Sequence, residues 1–303
     1  MLADKTECIS RSELEILQLE RLKKIVAWAY ERSVFYRRTF QSRGVVPDDI
    51  RTLADVRRLP FVTTEELHSV DALDFLTLPL SSIIRINRRD EFTNLYTKGD
   101  IRANVEMMIR ALMAADVLRG SIAGILGDFA DSRFLDVLYA LESIGATVIP
   151  LGTDCRRWSD MIELFSLDTL ISTPQLIMQL QKSFELPFTK IISLNTSTIG
   201  NDLQTRTSAK VFSLFAPPEV GHAGMMYRCA DAAGHHVQED FFLIELLRFG
   251  SDEPVTIGDA GELVVTALTA QAMPLIRWRT GQAVRRMGDL CTCGREFIRV
   301  ATP

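Results

Sequence analysis

Apolar residues recur at helical spacing near the start of the chain: Leu14, Leu17, Leu19, Leu22, Ile25, Val26 and Trp28. Ser10 or Ser12 can cap this face, and Glu13 and Glu15 suit the first turn, so a long helix is expected over residues 11–40. A short helix is expected over 53–59, stopped by Pro60, and another after Thr63 or Thr64 with Glu66 completing the cap. From residue 81 the period changes. Strand-like runs at 83–86, 121–127, 146–151, 169–172 and 190–194 alternate with helical runs at 101–117, 133–144, 158–165 and 174–184. Strands separated by helices of that length predict a parallel α/β sheet. After residue 210 strands dominate, at 241–249, 261–268 and 275–279, joined by polar turns. The expected organisation is a helical region over 1–80, a parallel α/β subdomain over 81–210 and a β-rich subdomain over 211–303.

Composition narrows the class. The chain has 303 residues, 47% hydrophobic and 24% charged, an ordinary globular balance with enough length to bury a core. A net charge of −5 argues against a nucleic-acid partner, which needs clustered Lys and Arg. There is no apolar run of about 18 residues and no signal-like N-terminus, so no membrane partner is expected. The five cysteines, Cys8, Cys155, Cys229, Cys291 and Cys293, are an odd number without a signal, which points to a reducing, cytoplasmic setting.

Three of those thiols are grouped with histidines. Cys291 and Cys293 form a Cys-x-Cys, Cys229 lies shortly before the pair His235-His236, and thiolate plus imidazole is the donor set of a closed structural zinc site. Either histidine can supply the fourth ligand. Cys8 and Cys155 read as bystanders.

Several segments together resemble the phenylacetate–coenzyme A ligase family of the adenylate-forming superfamily. They are Tyr30-Glu31-Arg32-Ser33-Val34-Phe35-Tyr36, Leu59-Pro60-Phe61-Val62-Thr63-Thr64, Gly145 to Pro150, and Glu239-Asp240-Phe241-Phe242. The longest are Gly261 to Thr266 and Ala272 to Gly281, with Cys291-Thr292-Cys293-Gly294-Arg295 following at the expected place. The resemblance implies the layered α/β large domain of these enzymes with a β-rich C-terminal subdomain. It implies joining of a carboxylate to ATP and transfer of the acyl group to coenzyme A. Its register favours His236 over His235 as the zinc ligand, beside Cys229, Cys291 and Cys293.

The residues that would carry adenylation depart from the family pattern. Where relatives have a glycine- and hydroxyl-rich phosphate loop, this chain has Asn87-Arg88-Arg89-Asp90-Glu91-Phe92-Thr93-Asn94-Leu95, without glycine. Glycine lets successive backbone N–H groups converge on a phosphate. A polar hairpin or turn is the expectation for this run. The adenine-side segment falls on Asn195-Thr196-Ser197-Thr198, also without glycine. The Tyr-Gly-Leu-Ser-Glu type motif becomes Phe215-Ala216-Pro217-Pro218-Glu219, in which Glu219 stays as the magnesium-ligand candidate. Arg279, Thr280, Gly281 and Gln282 mark the residual nucleotide pocket, with Gln282 where the ribose-binding Asp is expected. No segment matching the family's small C-terminal lid is expected before Pro303.

The resulting expectation is a catalytically degenerate relative that binds a small molecule or a protein, with zinc retained and ATP, AMP and magnesium in question. A carboxylate-activating enzyme whose lid comes from a partner is the second expectation. A dimerising scaffold using the N-terminal helix is the third. Beyond these, His222 reads as a satisfied histidine or one facing the old cleft. Arg277 and Arg279 alternate along a strand and suit salt bridges, and Asp128, Asp131 and Arg133 follow a strand end where ligands or helix caps sit.

Overall fold

The computed structural model describes residues 4–89, 91–153, 158–182, 187–195, 207–231, 233–288 and 291–301. The expected long N-terminal helix is two helices, Arg11–Arg32 (α1) and Val34–Ser42 (α2). Ser10 opens α1 with a capping box to Glu13. Ser33 is the break: it is fully buried in extended geometry and its Oγ accepts from Tyr36 N at the start of α2. The 53–59 run forms a 3-10 helix, Leu53–Arg58, rather than an α-helix. Then come Val62–Thr63 (β1), Thr64–Ser69 (α3) with the Thr63/Glu66 capping box, and Ala72–Phe75 (α4).

Arg85–Arg89 (β2) and Phe92–Tyr96 (β3) pair antiparallel, and Lys98–Ala114 (α5) follows. The alternating region gives Ile122–Leu126 (β4), Ser132–Ile144 (α6), Thr147–Gly152 (β5), Trp158–Phe165 (α7), Thr169–Ser172 (β6), Pro174–Gln181 (α8), Lys190–Asn195 (β7) and Lys210–Phe215 (β8). The strands after it are Met226–Tyr227 (β9), His235–Val237 (β10), Phe242–Leu247 (β11), Ala260–Ala267 (β12), Trp278–Arg286 (β13) and Arg299–Ala301 (β14).

The chain forms two compact units, one built from Asn104–His236 and the other from Lys5–Ala103 with Val237–Pro303. In the first, strands run in the order β5-β4-β6-β7-β8, all parallel, with β9 antiparallel to β8. The apolar runs of these strands are buried because helices cover a parallel sheet on both faces. Leu126, Leu170, Ile177 and Ile191 belong to one apolar cluster of this unit. The second unit holds β11-β12-β13 antiparallel, with β14 on β13 and β1 joining β13 in parallel at Val62↔Trp278. The N-terminal helices are part of this unit. Tyr36 is fully buried and its hydroxyl accepts from Ile276 N at 2.8 Å. Burial drives the Tyr36 phenol far above its ordinary range, so the hydroxyl is neutral. Gln18 reaches Glu239 O at 2.8 Å, and Arg11 makes a two-pronged bond to the Glu239 carboxylate at 2.7 and 2.9 Å. Among the described residues, no helix is long and apolar enough to cross a membrane.

Candidate functional site

In an open parallel sheet, ligands gather beyond the carboxyl ends of the strands. Glu219 lies there. It follows the end of β8 on a single 3-10 turn, Pro218–Val220, which Gly221 closes with φ 82°. The two prolines supply no backbone donors, so the turn offers a buried carboxylate without the N–H groups that a phosphate requires. His222 follows and is buried, with Nδ1 accepting from Gly224 N at 3.1 Å. Burial pushes its pKa down to about 3, so this imidazole is neutral near pH 7. Beyond β4, Asp131 caps α6 and its carboxylate holds the Arg133 guanidinium. That is the helix-cap arrangement for these two residues. The segment 196–198, on which the adenine-side expectation falls, lies outside the described residues, as does Cys155.

Arg277 and Arg279 are tied into the second unit. Arg277 has a left-handed backbone, φ 50°, which delays the start of β13 to Trp278, three residues later than the sequence pattern suggests. Its guanidinium bonds both Glu245 oxygens at 3.1 Å and donates to Arg57 O and Leu59 O at 2.9 and 2.8 Å. Arg279 pairs with Glu262 at 2.5 Å. Both guanidinium groups stack on Phe61, at 3.9 and 4.7 Å from the ring centre. Both guanidinium groups thus lie over one aromatic ring, although Arg277 itself sits outside β13, and each is neutralised by its own glutamate.

Of the remaining residues of the expected nucleotide pocket, Gly281 meets the same carboxylate and the others bond beside it. Gly281 N donates to Glu262 Oε1 at 3.1 Å, Thr280 Oγ1 donates to Leu263 O at 2.8 Å, and Gln282 N donates to Thr280 Oγ1 at 3.1 Å. Gly281 takes φ 69°, which a side chain would resist. The run Asn87 to Leu95 forms the β2–β3 hairpin. Its register runs from Arg85↔Tyr96 to Arg89↔Phe92, leaving two residues between the paired ends. Arg85 lies over the Tyr96 ring at 5.9 Å, and Arg88 is exposed. The next turn is firmly held: Asp100 accepts from Thr97 N, Gln271 N and Ala272 N at 2.8, 2.6 and 3.2 Å.

Four donors meet elsewhere. Cys229, His236, Cys291 and Cys293 each offer one ligand atom, and these atoms lie within 4.8 Å of one another. Three thiols and an imidazole suit zinc or another borderline-soft ion rather than magnesium. His235 and His236 adjoin on β10 and therefore point to opposite sides. His236 joins the thiols, while His235 Nε2 meets Ser213 Oγ at 2.6 Å. Gly294, with φ 81°, and the bond from Gly294 N to Cys291 O at 3.4 Å turn the Cys-x-Cys segment back on itself. Sequence reasoning missed Cys8, whose thiol reaches Gly294 O at 3.0 Å. Nothing in the linear pattern links residues so far apart.

These elements define the class. 2-Hydroxyisobutyryl-CoA ligase, solved in an open conformation with 2-HIB-AMP and CoA, matches with a TM-score of 0.88 over 98% of this chain and 75% of its own, at 18% identity. The fold is that of the adenylate-forming CoA ligases. Phenylacetate-coenzyme A ligase of Thermus thermophilus is 30% identical over 97% of this chain and 70% of its own length, and that of Escherichia coli K12 is 29% identical over 98% and 73%. The chain belongs to the phenylacetate–coenzyme A ligase family. No family model matches it.

Proposed function

We propose that this chain is a phenylacetate–coenzyme A ligase-like protein that binds a carboxylate ligand and adenylates it poorly by itself. The observation that carries this reading is the β2–β3 hairpin. The segment pairs as strands up to Arg89↔Phe92, an extended ladder rather than a loop whose successive N–H groups converge on one point, and no glycine lies between residues 85 and 96. Phosphoryl and adenylyl transfer depend on positioned donors more than on covalent chemistry, so a closed hairpin removes much of the catalytic power. The prolines before Glu219 and the neutral Gln282 act in the same direction. ATP–pyrophosphate exchange with aryl and alkyl carboxylates is expected at background. Clear carboxylate-dependent exchange overturns the reading.

A second reading has its own support. Glu219 lies just past the carboxyl end of β8, a kind of place where a carboxylate can serve a magnesium ion, and the Thr280-Gly281 turn is hydrogen-bonded. On this reading the chain is a carboxylate-activating enzyme that works with a partner, and it predicts magnesium-dependent AMP or ATP binding. Calorimetry without heat at millimolar nucleotide removes it. A dimer through the N-terminal helix is the remaining possibility for a partner, and light scattering tests it directly.

In either reading Cys229, His236, Cys291 and Cys293 hold a structural zinc. When bound, the ion supplies a cross-link rather than a reactive centre, because four protein ligands leave no open position. Metal analysis of the purified protein is expected to give one equivalent, and chelation is expected to lower Tm.

A further inference from the structure

The turn Lys5–Cys8 is built onto the segment that carries Cys293. Glu7 is fully buried and pairs with Arg295 Nε at 2.7 Å. Glu296 N donates to Glu7 O at 3.0 Å, and the Cys8 thiol donates to Gly294 O at 3.0 Å. A buried ion pair and two hydrogen bonds thus fix Cys8 against the residue that follows Cys293. Of the described thiols, Cys229 and Cys291 are buried, while Cys8 and Cys293 are half-buried. An oxidant arriving from solvent meets these two first.

We propose that Cys8 and Cys293 are a redox pair that hydrogen peroxide converts into a disulfide, withdrawing Cys293 from the metal site. The Cys293 thiolate attacks peroxide, breaking the O–O bond, and becomes a sulfenic acid as hydroxide leaves. The Cys8 sulfur then displaces the sulfenic hydroxyl, and the Cys8 proton leaves with it as water. One peroxide is reduced and two thiol sulfurs are oxidised. A thiol reductant reverses the bond. Only the metal-release half of this proposal rests on the zinc reading.

The test is peroxide titration of the full chain, followed by alkylation, peptide mass mapping and release of zinc to a chromophoric chelator. The expected result is a Cys8–Cys293 linked peptide, reversed by dithiothreitol, with zinc release rising in step. Cys8→Ser is expected to keep its resting zinc, form no link and release zinc several-fold more slowly. The proposal is overturned if Cys293 links to Cys291 or Cys229, or if it passes to the sulfinic acid while Cys8 stays a free thiol. It is also overturned if Cys8→Ser loses resting zinc, because Cys8 is then a ligand. Protein that takes up no zinc refutes the metal reading, while the link map still decides the pair.

Discussion

Two regions of one unit use arginine in opposite ways. In the β12–β13 region, Arg277 and Arg279 are bound to Glu245 and Glu262 and stacked on Phe61. In the β2–β3 hairpin, Arg88 stands exposed on a closed two-strand ladder. The first region is held by ion pairs between residues far apart in the chain, the second by pairing between two neighbouring strands. The difference teaches that the residues around Arg277 hold the strands together, so their contacts account for the fold before any catalytic role.

Arg277→Ala should break this comparison most severely. It strands Glu245 and removes two carbonyl bonds, at a cost of about 3–5 kcal/mol, the range for breaking a buried pair. Chemical denaturation measures it, and a loss below about 1 kcal/mol would show that the region is not a structural hub. Glu262→Gln should be smaller, about 2 kcal/mol, because Gln keeps one acceptor for Arg279 or Gly281 but loses the charge.

Acid acts on a third residue, and its effect must be separated from these. The folded His222 has a pKa of about 3, against about 6.5 when unfolded. The unfolded chain therefore binds the extra proton between those values, and stability falls as pH drops below 6.5. The slope approaches roughly 1.4 kcal/mol per pH unit, and His222→Asn should flatten it in a pH series of unfolding curves. The hairpin gives the smallest effect. Arg88→Ala is expected to change stability by no more than about 0.5 kcal/mol, since the side chain is exposed. A larger loss in the same denaturation assay would mean that the hairpin is as tightly bound as β12–β13.

Much of the architecture could be read directly. The 158–165 helix and the 169–172 strand match the sequence pattern to the residue, because apolar period and flanking polar residues agree there. The apolar face expected over 11–40 is broken at Ser33, where burial and a local cap end one helix and begin the next. The strand expected at 275–279 starts only at Trp278, because Arg277 takes a left-handed backbone and its side chain makes four hydrogen bonds to Glu245, Arg57 and Leu59. No local propensity reports such long-range bonds.

The sequence by itself determined the α/β alternation, the family and the donor types of the metal cluster, since these depend on periodicity, motif and residue chemistry. The family register already favours His236 over His235, and the structure groups His236 with the thiols while His235 meets Ser213, because adjacent strand residues face opposite ways. Only the tertiary structure placed Cys8 beside Gly294, through a buried Glu7–Arg295 pair whose members lie at opposite ends of the chain. Packing brings such residues together, and packing has no signature in linear order.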